Sequence, residues 1–266
     1  MNRLTPKHTL SCTPASKPMS TRLRVPEALI GERPGATPHL EALFAEHGHE
    51  RRLSAHESLF FEGDDAHAIY RVVSGLLRCY IVSEDGTRQI VRFAGPGASL
   101  GVSVVDFWHF SVEAVDPVVL SWVPRDLVDA ERERDAELRH ELRCQVAREL
   151  RRRDWQLMQL AHLTSTERLM AFLVDFADSQ RAAGLHAKRS IPLPMSRQDI
   201  GDFLGLSLET VSRAFSALKR AGRIEMTGSD RYRFPTTAPV QRSERGTDRA
   251  VDRAAFHDRP LEVGAA

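Results

Sequence analysis

Seven polar side chains are crowded into thirteen residues: Glu209, Thr210, Ser212, Arg213, Ser216, Lys219 and Arg220, within Leu208–Arg220. At roughly 100° per residue, Glu209, Ser212, Arg213, Ser216 and Arg220 share one side of a helix. Leu208, Val211, Ala214, Phe215 and Leu218 take the other side and must be buried. The chemistry available to the polar row is hydrogen bonding to flat, edge-on partners. An arginine at the place of Arg213 can donate twice to guanine O6 and N7, and a glutamate at that of Glu209 can accept from cytosine N4. An ordinary solvated helix face is the competing reading, and the flanking sequence decides between the two.

Met195–Gly222 supplies the element that would carry this row. Ser196 with Asp199 three residues on is a capping pattern, because each side chain can accept from a backbone N–H left free where a helix starts. Ile200, Phe203 and Leu204 form a short apolar face, and Gly205 marks the stop and a sharp turn. Ser207 then caps the second helix. Two short helices about a glycine turn, the second polar at its start, are a helix-turn-helix. Arg223–Met226, a turn at Thr227–Asp230 and Arg231–Phe234 follow as a β-hairpin, the wing of a winged helix. Lys188–Phe234 also carries nine Lys or Arg against five Asp or Glu, a surplus that favours a phosphate backbone.

IGDFLGLSLETVSR is similar to the helix-turn-helix of the Crp/Fnr family, and within it the Fnr/FixK branch. In that branch a Glu-x-x-Ser-Arg motif reads half of a TTGAT-N4-ATCAA palindrome, and the motif stands here as Glu209, Ser212 and Arg213. The likeness extends more loosely over residues 40–235. It implies double-stranded DNA as the partner, with Arg197, Thr210 and Arg231 on phosphates. It also implies activation of transcription through RNA polymerase, touched by the roll loop Ser83–Arg88, and genes of low-oxygen respiration or nitrogen fixation.

The remainder of the chain must position that head. At 266 residues there is room for two cores, and the net charge of +1 conceals the basic C-terminal part. Residues 1–38 are rich in Pro, Ser, Thr and basic residues and read as a flexible tail; residues 236–266 are charged, patternless and read as a disordered one. Within 39–124 a short helix at His39–His47 precedes β-rich runs at Ser58–Phe61, Ala68–Val73, Leu76–Val82, Gln89–Phe93 and Val118–Val123. Turn signals recur every 8–12 residues, roughly, as in a small antiparallel barrel or roll. The segment FFEGDDAHAIYRVVSGLLRCYIVSEDGTRQIVRFAGPGASLG resembles the family's cyclic-nucleotide-binding β-roll. The expected fold class is therefore α+β: roll, long helix, winged helix-turn-helix.

Residues 125–163 read as one long helix with Leu138, Leu142, Val146, Leu150, Leu157 and Leu160 in a stripe, interrupted by Arg151–Arg153. Such a stripe outreaches a small roll, so a second copy of the chain is its natural cover. Leu142, Val146, Leu150 and Leu157 are the expected dimer contacts, matching the family's dimerisation helix; an intrachain packing helix is the alternative. Thr164 and Glu167 form a further capping box, which starts the DNA-binding part, 164–235, at a hinge. No apolar run approaches the ~20 residues of a membrane span, and the N-terminus lacks a secretory pattern. The cysteines Cys12, Cys79 and Cys144 are odd in number and scattered, which favours a reducing cytoplasm.

Three ligand chemistries remain to be weighed. The family's cyclic-AMP readers carry a Gly-Glu pair and an Arg-Ser pair; here Gly101 precedes Val102, and Phe110 precedes Ser111. A buried cyclic phosphate without its arginine would be an unpaired charge. Oxygen sensors of the Fnr type hold a [4Fe–4S] cluster on four cysteines, three of them N-terminal; only Cys12 lies there, and Ser121 stands near the fourth place. A cupin-like metal enzyme would need converging histidines, and His47-Gly48-His49 with Glu50, His56, His67 and His109 are the candidates. No nucleophile triad or phosphate-binding loop stands out. The expectation is a regulator that is not an enzyme, with no cofactor and no metal.

Overall fold

Pro38 opens α1 (Pro38–His47) at a position where its missing N–H costs nothing. In the computed structural model, residues 37–102, 106–184 and 190–235 are described; the expected tails, Cys12 and part of the Gly184–Pro194 loop lie outside them. Eight strands follow α1: β1 (His49–Leu53), β2 (Ser58–Phe60), β3 (Ala68–Ser74), β4 (Leu77–Val82), β5 (Arg88–Ala94), β6 (Ser99–Leu100), β7 (Ser111–Ala114) and β8 (Val118–Pro124). They form two four-stranded antiparallel sheets, β1-β8-β3-β6 and β2-β7-β4-β5. Their inward residues meet in one core that includes Leu53, Val72, Leu77, Leu100, Trp108, Val112 and Leu120. Gly75 holds the β3–β4 turn at φ +84°, and a Cβ there would stand 2.4 Å from the Pro117 carbonyl. Only glycine fits both demands.

β1, β6 and β7 were not among the expected strands. HERRL in β1 is largely exposed, SL in β6 is two residues long, and SVEA in β7 only four. Each is held by its neighbours: β1 by β8, β6 by β3, and β7 by β2 and β4.

The single helix expected over 125–163 is two helices, α2 (Arg125–Arg134) and α3 (Ala136–His162). Asp135 parts them. Its backbone is extended, and its carboxylate accepts from the Glu137 and Leu138 amides, which starts α3 afresh. Leu138 is buried with Leu40, Leu43, Phe44 and Val128, and Leu142 packs at the edge of this group. Glu141 reaches from α3 to the Leu40 amide at 2.9 Å and the His39 amide at 3.1 Å, capping α1 from a distance. The stripe therefore divides. Its start packs against its own chain, while Val146, Leu150, Leu157, Met158 and Leu160 are exposed.

The remaining elements are α4 (Ser165–Ala182), β9 (Ile191–Pro192), α5 (Arg197–Leu204), α6 (Leu208–Arg220), β10 (Glu225–Met226) and β11 (Arg231–Arg233). Both expected capping boxes are present, Thr164 with Glu167 on α4 and Ser196 with Asp199 on α5. The wing is a three-stranded sheet, β10-β11-β9, because β11 pairs with β9 as well as β10. Leu169, Leu173, Ile200, Leu204, Val211, Phe215, Leu218 and Tyr232 form the core beneath it. Leu76 and Val115 of the roll join that same core, so roll and winged helix share apolar contact.

Candidate nucleic-acid interface

Gly205 ends α5 in the left-handed conformation, φ +64°, and the Leu206 amide turns back to the Gly201 carbonyl. A Cβ on Gly201 would meet the Leu206 carbonyl oxygen at 2.6 Å, so a glycine here allows the turn to lie against α5. Ser207 accepts from the Thr210 amide at 3.3 Å and caps α6, an interaction worth about 1 kcal/mol. Val211, Ala214, Phe215 and Leu218 face inward and are buried, which fixes the rotation of α6 and turns the other side to solvent; Leu208, expected with them, is 41% exposed because it lies in the first turn, ahead of the packed stretch.

That outer side carries the expected residues. Glu209, Ser212, Arg213, Ser216 and Arg220 are all exposed, and the Arg213 guanidinium donates to the Thr210 hydroxyl at 3.2 Å. Glu209 is held below the usual carboxylate range by its own backbone N–H, by the Ser207 hydroxyl and by the Arg213 charge. It is thus an ionised acceptor beside an ionised donor.

The row does not stand alone. Ser165 and Thr166, in the first turn of α4, join Thr210, Ser212, Arg213, Ser216, Ala217 and Arg220 around an open cleft of about 510 Å³. Free amides at a helix start, hydroxyls and two arginines are what an anionic oxygen needs. Sequence reasoning placed Thr164–Thr166 as a hinge only; the capping box located the helix start but not what it faces.

Two expected phosphate contacts lie elsewhere. Arg197 sits with its guanidinium carbon 3.2 Å from the centroid of the Phe215 ring, with Nη1 enclosed and unpartnered, and burial lowers its pKa. Arg231 donates to the Ser190 hydroxyl and carbonyl, both at 3.1 Å, which ties the wing to the segment before β9. Neither lines the cleft.

The roll can be tested against the ligands its architecture suggests. Phe110, where the family's phosphate-gripping arginine would stand, is buried in the roll core, and Val102 packs against the α1–α3 cluster. Phe60 stacks on Trp108 at 3.7 Å, and Phe110 and Tyr70 lie about the same pair. These residues do not fit a cyclic nucleotide. Nor does the cysteine set fit an iron–sulfur cluster: burial pushes the Cys79 thiol up to about 12, and Cys144 faces His140 on α3. The histidines diverge, His49 against Trp122, His56 toward Glu113, His67 toward Asp65 and His109 against Phe110. Among the described residues no group of three metal-binding side chains converges, and no helix is long and apolar enough to cross a membrane.

Comparison with known proteins accounts for both halves. The Crp-like helix-turn-helix domain matches residues 167–235, and the cyclic nucleotide-binding domain matches residues 50–135. The chain is 39% identical over 182 residues to the nitrogen fixation regulation protein FixK of Azorhizobium caulinodans, spanning 68% of this chain and 73% of that relative. It is 32% identical over 182 residues to the transcriptional activator protein Anr of Pseudomonas aeruginosa, spanning 68% and 74%. The structure of FixK2 from Bradyrhizobium japonicum matches with a TM-score of 0.66 at 32% identity, over 70% of this chain and 92% of the other. An outward polar row on a capped second helix is therefore no accident of composition: the chain belongs to the Crp/Fnr family of DNA-binding transcription regulators, on its FixK-like branch.

Proposed function

We propose that the protein acts in the cytoplasm as a homodimeric activator that binds a TTGAT-N4-ATCAA-like palindrome and has no enzymatic activity. The carrying observation is the cleft: a capped recognition helix and the start of α4 present hydroxyls, amides and arginines to one open side. α6 enters the major groove, where Glu209, Ser212 and Arg213 meet base edges. Thr210, with Ser165, Thr166, Ser216 and Arg220 of the cleft, holds phosphates, joined by Arg197 and by Arg231, whose tie to Ser190 pre-orders it. The exposed Val146, Leu150 and Leu157, with Leu142 at their head, are covered by the same stripe of a second copy. The dimer sets two recognition helices about 34 Å apart, which a palindrome requires.

The proposed division into a roll at 39–124, dimerisation helices at 125–163 and a DNA-binding part at 164–235 follows the same logic. Glu84 and Asp85 project from the β4–β5 loop, which supports the expected Ser83–Arg88 segment as the surface offered to RNA polymerase, with Arg88 excepted because it begins β5 and turns to α5. The similarity to FixK and Anr supports control of nitrogen-fixation or low-oxygen genes. The test is an anisotropy titration with the palindrome, a version with one half-site replaced, and a scrambled duplex. Cognate binding at least about 10³-fold tighter than scrambled is expected; equal binding to all three sinks the reading. A genome-wide occupancy map then names the genes.

A further inference from the structure

The helix-turn-helix is clamped to the rest of its chain by arginines that lie outside the cleft. Arg78 of β4 donates to Asp199 of α5 at 3.1 Å and to Glu113 of β7 at 2.6 Å. Arg88 of β5 donates to the same Asp199 oxygen at 2.7 Å, and grips Asp202 through Nε at 2.9 Å and Nη2 at 2.7 Å. Gln89 adds a bond to the Asp202 carbonyl. The second Asp199 oxygen meanwhile accepts from the Ser196 amide and hydroxyl, capping α5. One carboxylate thus starts the first helix of the helix-turn-helix and anchors it to two strands of the roll.

The setting makes this more than a surface pairing. Arg78 and Asp199 are buried, and the Asp202 side chain is 11% exposed. Charges so placed are held in one geometry, because a lost partner leaves a buried ion behind. Beside them Phe93 of β5 meets Phe203 of α5 at 5.5 Å and Phe172 of α4 at 6.0 Å. The far end of α5 is held as well: Arg168 donates to the carbonyls of Leu204, Leu163 and Leu160, bridging the α3–α4 junction. α5 is therefore pinned at both ends, and α6 packs on α5.

We propose that Arg78 and Arg88, with Asp199 and Asp202, are positioning residues that fix the angle of the reading head to the roll, and so set the half-site spacing the dimer accepts. The proposal rests on the DNA-reading function above. Its logic is geometric. Changing the spacer by one base pair turns one half-site by about 35° and shifts it by about 3.4 Å. A pinned head cannot follow, whereas a loosened one can. The aromatic stack inside the roll leaves this clamp, rather than a bound nucleotide, to hold the angle.

The experiment uses the full-length dimer with Arg88→Gln, Asp202→Asn and the conservative variant Arg88→Lys, which keeps a cation between Asp199 and Asp202. Duplexes carrying three, four or five base pairs between half-sites are titrated, with a single half-site as reference. The parent should prefer its own spacing by at least about tenfold. Arg88→Gln and Asp202→Asn should each reduce that preference to about two- or threefold while single half-site affinity holds, and Arg88→Lys should keep most of it. Unchanged spacing preference in Arg88→Gln and Asp202→Asn, or a uniform loss at every spacing that Arg88→Lys shares, overturns the proposal. Spin labels at Glu84→Cys and Lys219→Cys, in a Cys12→Ser/Cys144→Ser background diluted with excess unlabelled protein, give a readout that needs no DNA. A narrow intrachain distance distribution in the parent that broadens in Arg88→Gln is expected, and identical distributions overturn the clamp whatever the DNA does. If the parent binds no palindrome yet its distribution broadens on mutation, the DNA reading fails while the clamp stands.

Discussion

At the scale of single residues, the roles proposed for Arg213 and Arg231 are two kinds of contact. Arg213 lies on the exposed face of α6 with its guanidinium steadied by Thr210, as a base reader requires. Arg213→Ala should cost about 1–3 kcal/mol on the cognate palindrome and flatten discrimination at one base pair per half-site. Equal loss on cognate and scrambled DNA would remove its reading role. Arg231→Ala should weaken all sequences alike and lower the salt slope by about one, as measured by titration over a range of salt. A third residue speaks to pH. Asp175 on α4 is raised to about 6 by burial, with the Asp178 charge adding to it and Arg152 opposing. Its folded pKa lies above its ordinary value of 3.8, so the stabilisation from the neutral form is full below that value and lost as pH rises through about 6. Asp175→Asn should therefore stabilise the protein at pH 7.5 by about 1–2 kcal/mol, and by little at pH 4. Thermal melts at the two pH values are the check, with a gain of equal size at both as the contrary result.

At the scale of elements, α3 is the test. Its first turns are occupied by α1, whereas Leu150 and Leu157 are 60% and 65% exposed. A run of large apolar residues facing water along one helix is costly unless it is covered. Leu150→Glu would place a charge in the dimer seam, where it has no partner, and should shift the protein to monomer at micromolar concentration. Sedimentation velocity decides the matter; a dimer as firm as the parent's would place the interface elsewhere. The split at Asp135 has its own meaning here. It gives α3 a direction independent of α2, set by the bonds of His39 to Asp135 and of Glu141 to the start of α1.

For the whole molecule the question is which signals enter. The roll interior is filled by Phe60, Tyr70, Trp108 and Phe110, and its one cysteine thiol is buried in β4. Protein purified without air should be colourless and free of iron and sulfide, and should bind its palindrome equally with and without oxygen. Cyclic AMP at millimolar concentration should leave the melting temperature unmoved, since any ligand of the native state raises it by mass action. A visible band that bleaches in air, with stoichiometric iron, would make the protein a direct oxygen sensor. A rise in melting temperature with cyclic AMP would return the roll to nucleotide binding. Loss of DNA binding under peroxide, rescued by Cys144→Ser, would point to a thiol switch instead.

What the sequence determined by itself was local. The caps at Thr164, Ser196 and Ser207, the glycine stop at Gly205, and the two faces of α6 all depend on residues within a few positions of each other. The same holds for the reading row, for the turns of the roll, and for the resemblance that identified the family. The tertiary structure decided what depends on partners far along the chain. β1, β6, β7 and β9 are too short or too polar to announce themselves, and exist because neighbouring strands complete their ladders. Ser165 and Thr166 come to line the cleft only when α6 is folded beside them. Arg78 and Asp199 are 121 residues apart, and neither carries any local mark of the other. A helix cap is written in its own turn of sequence, but an ion pair between domains is written only in the packing that brings the two charges together.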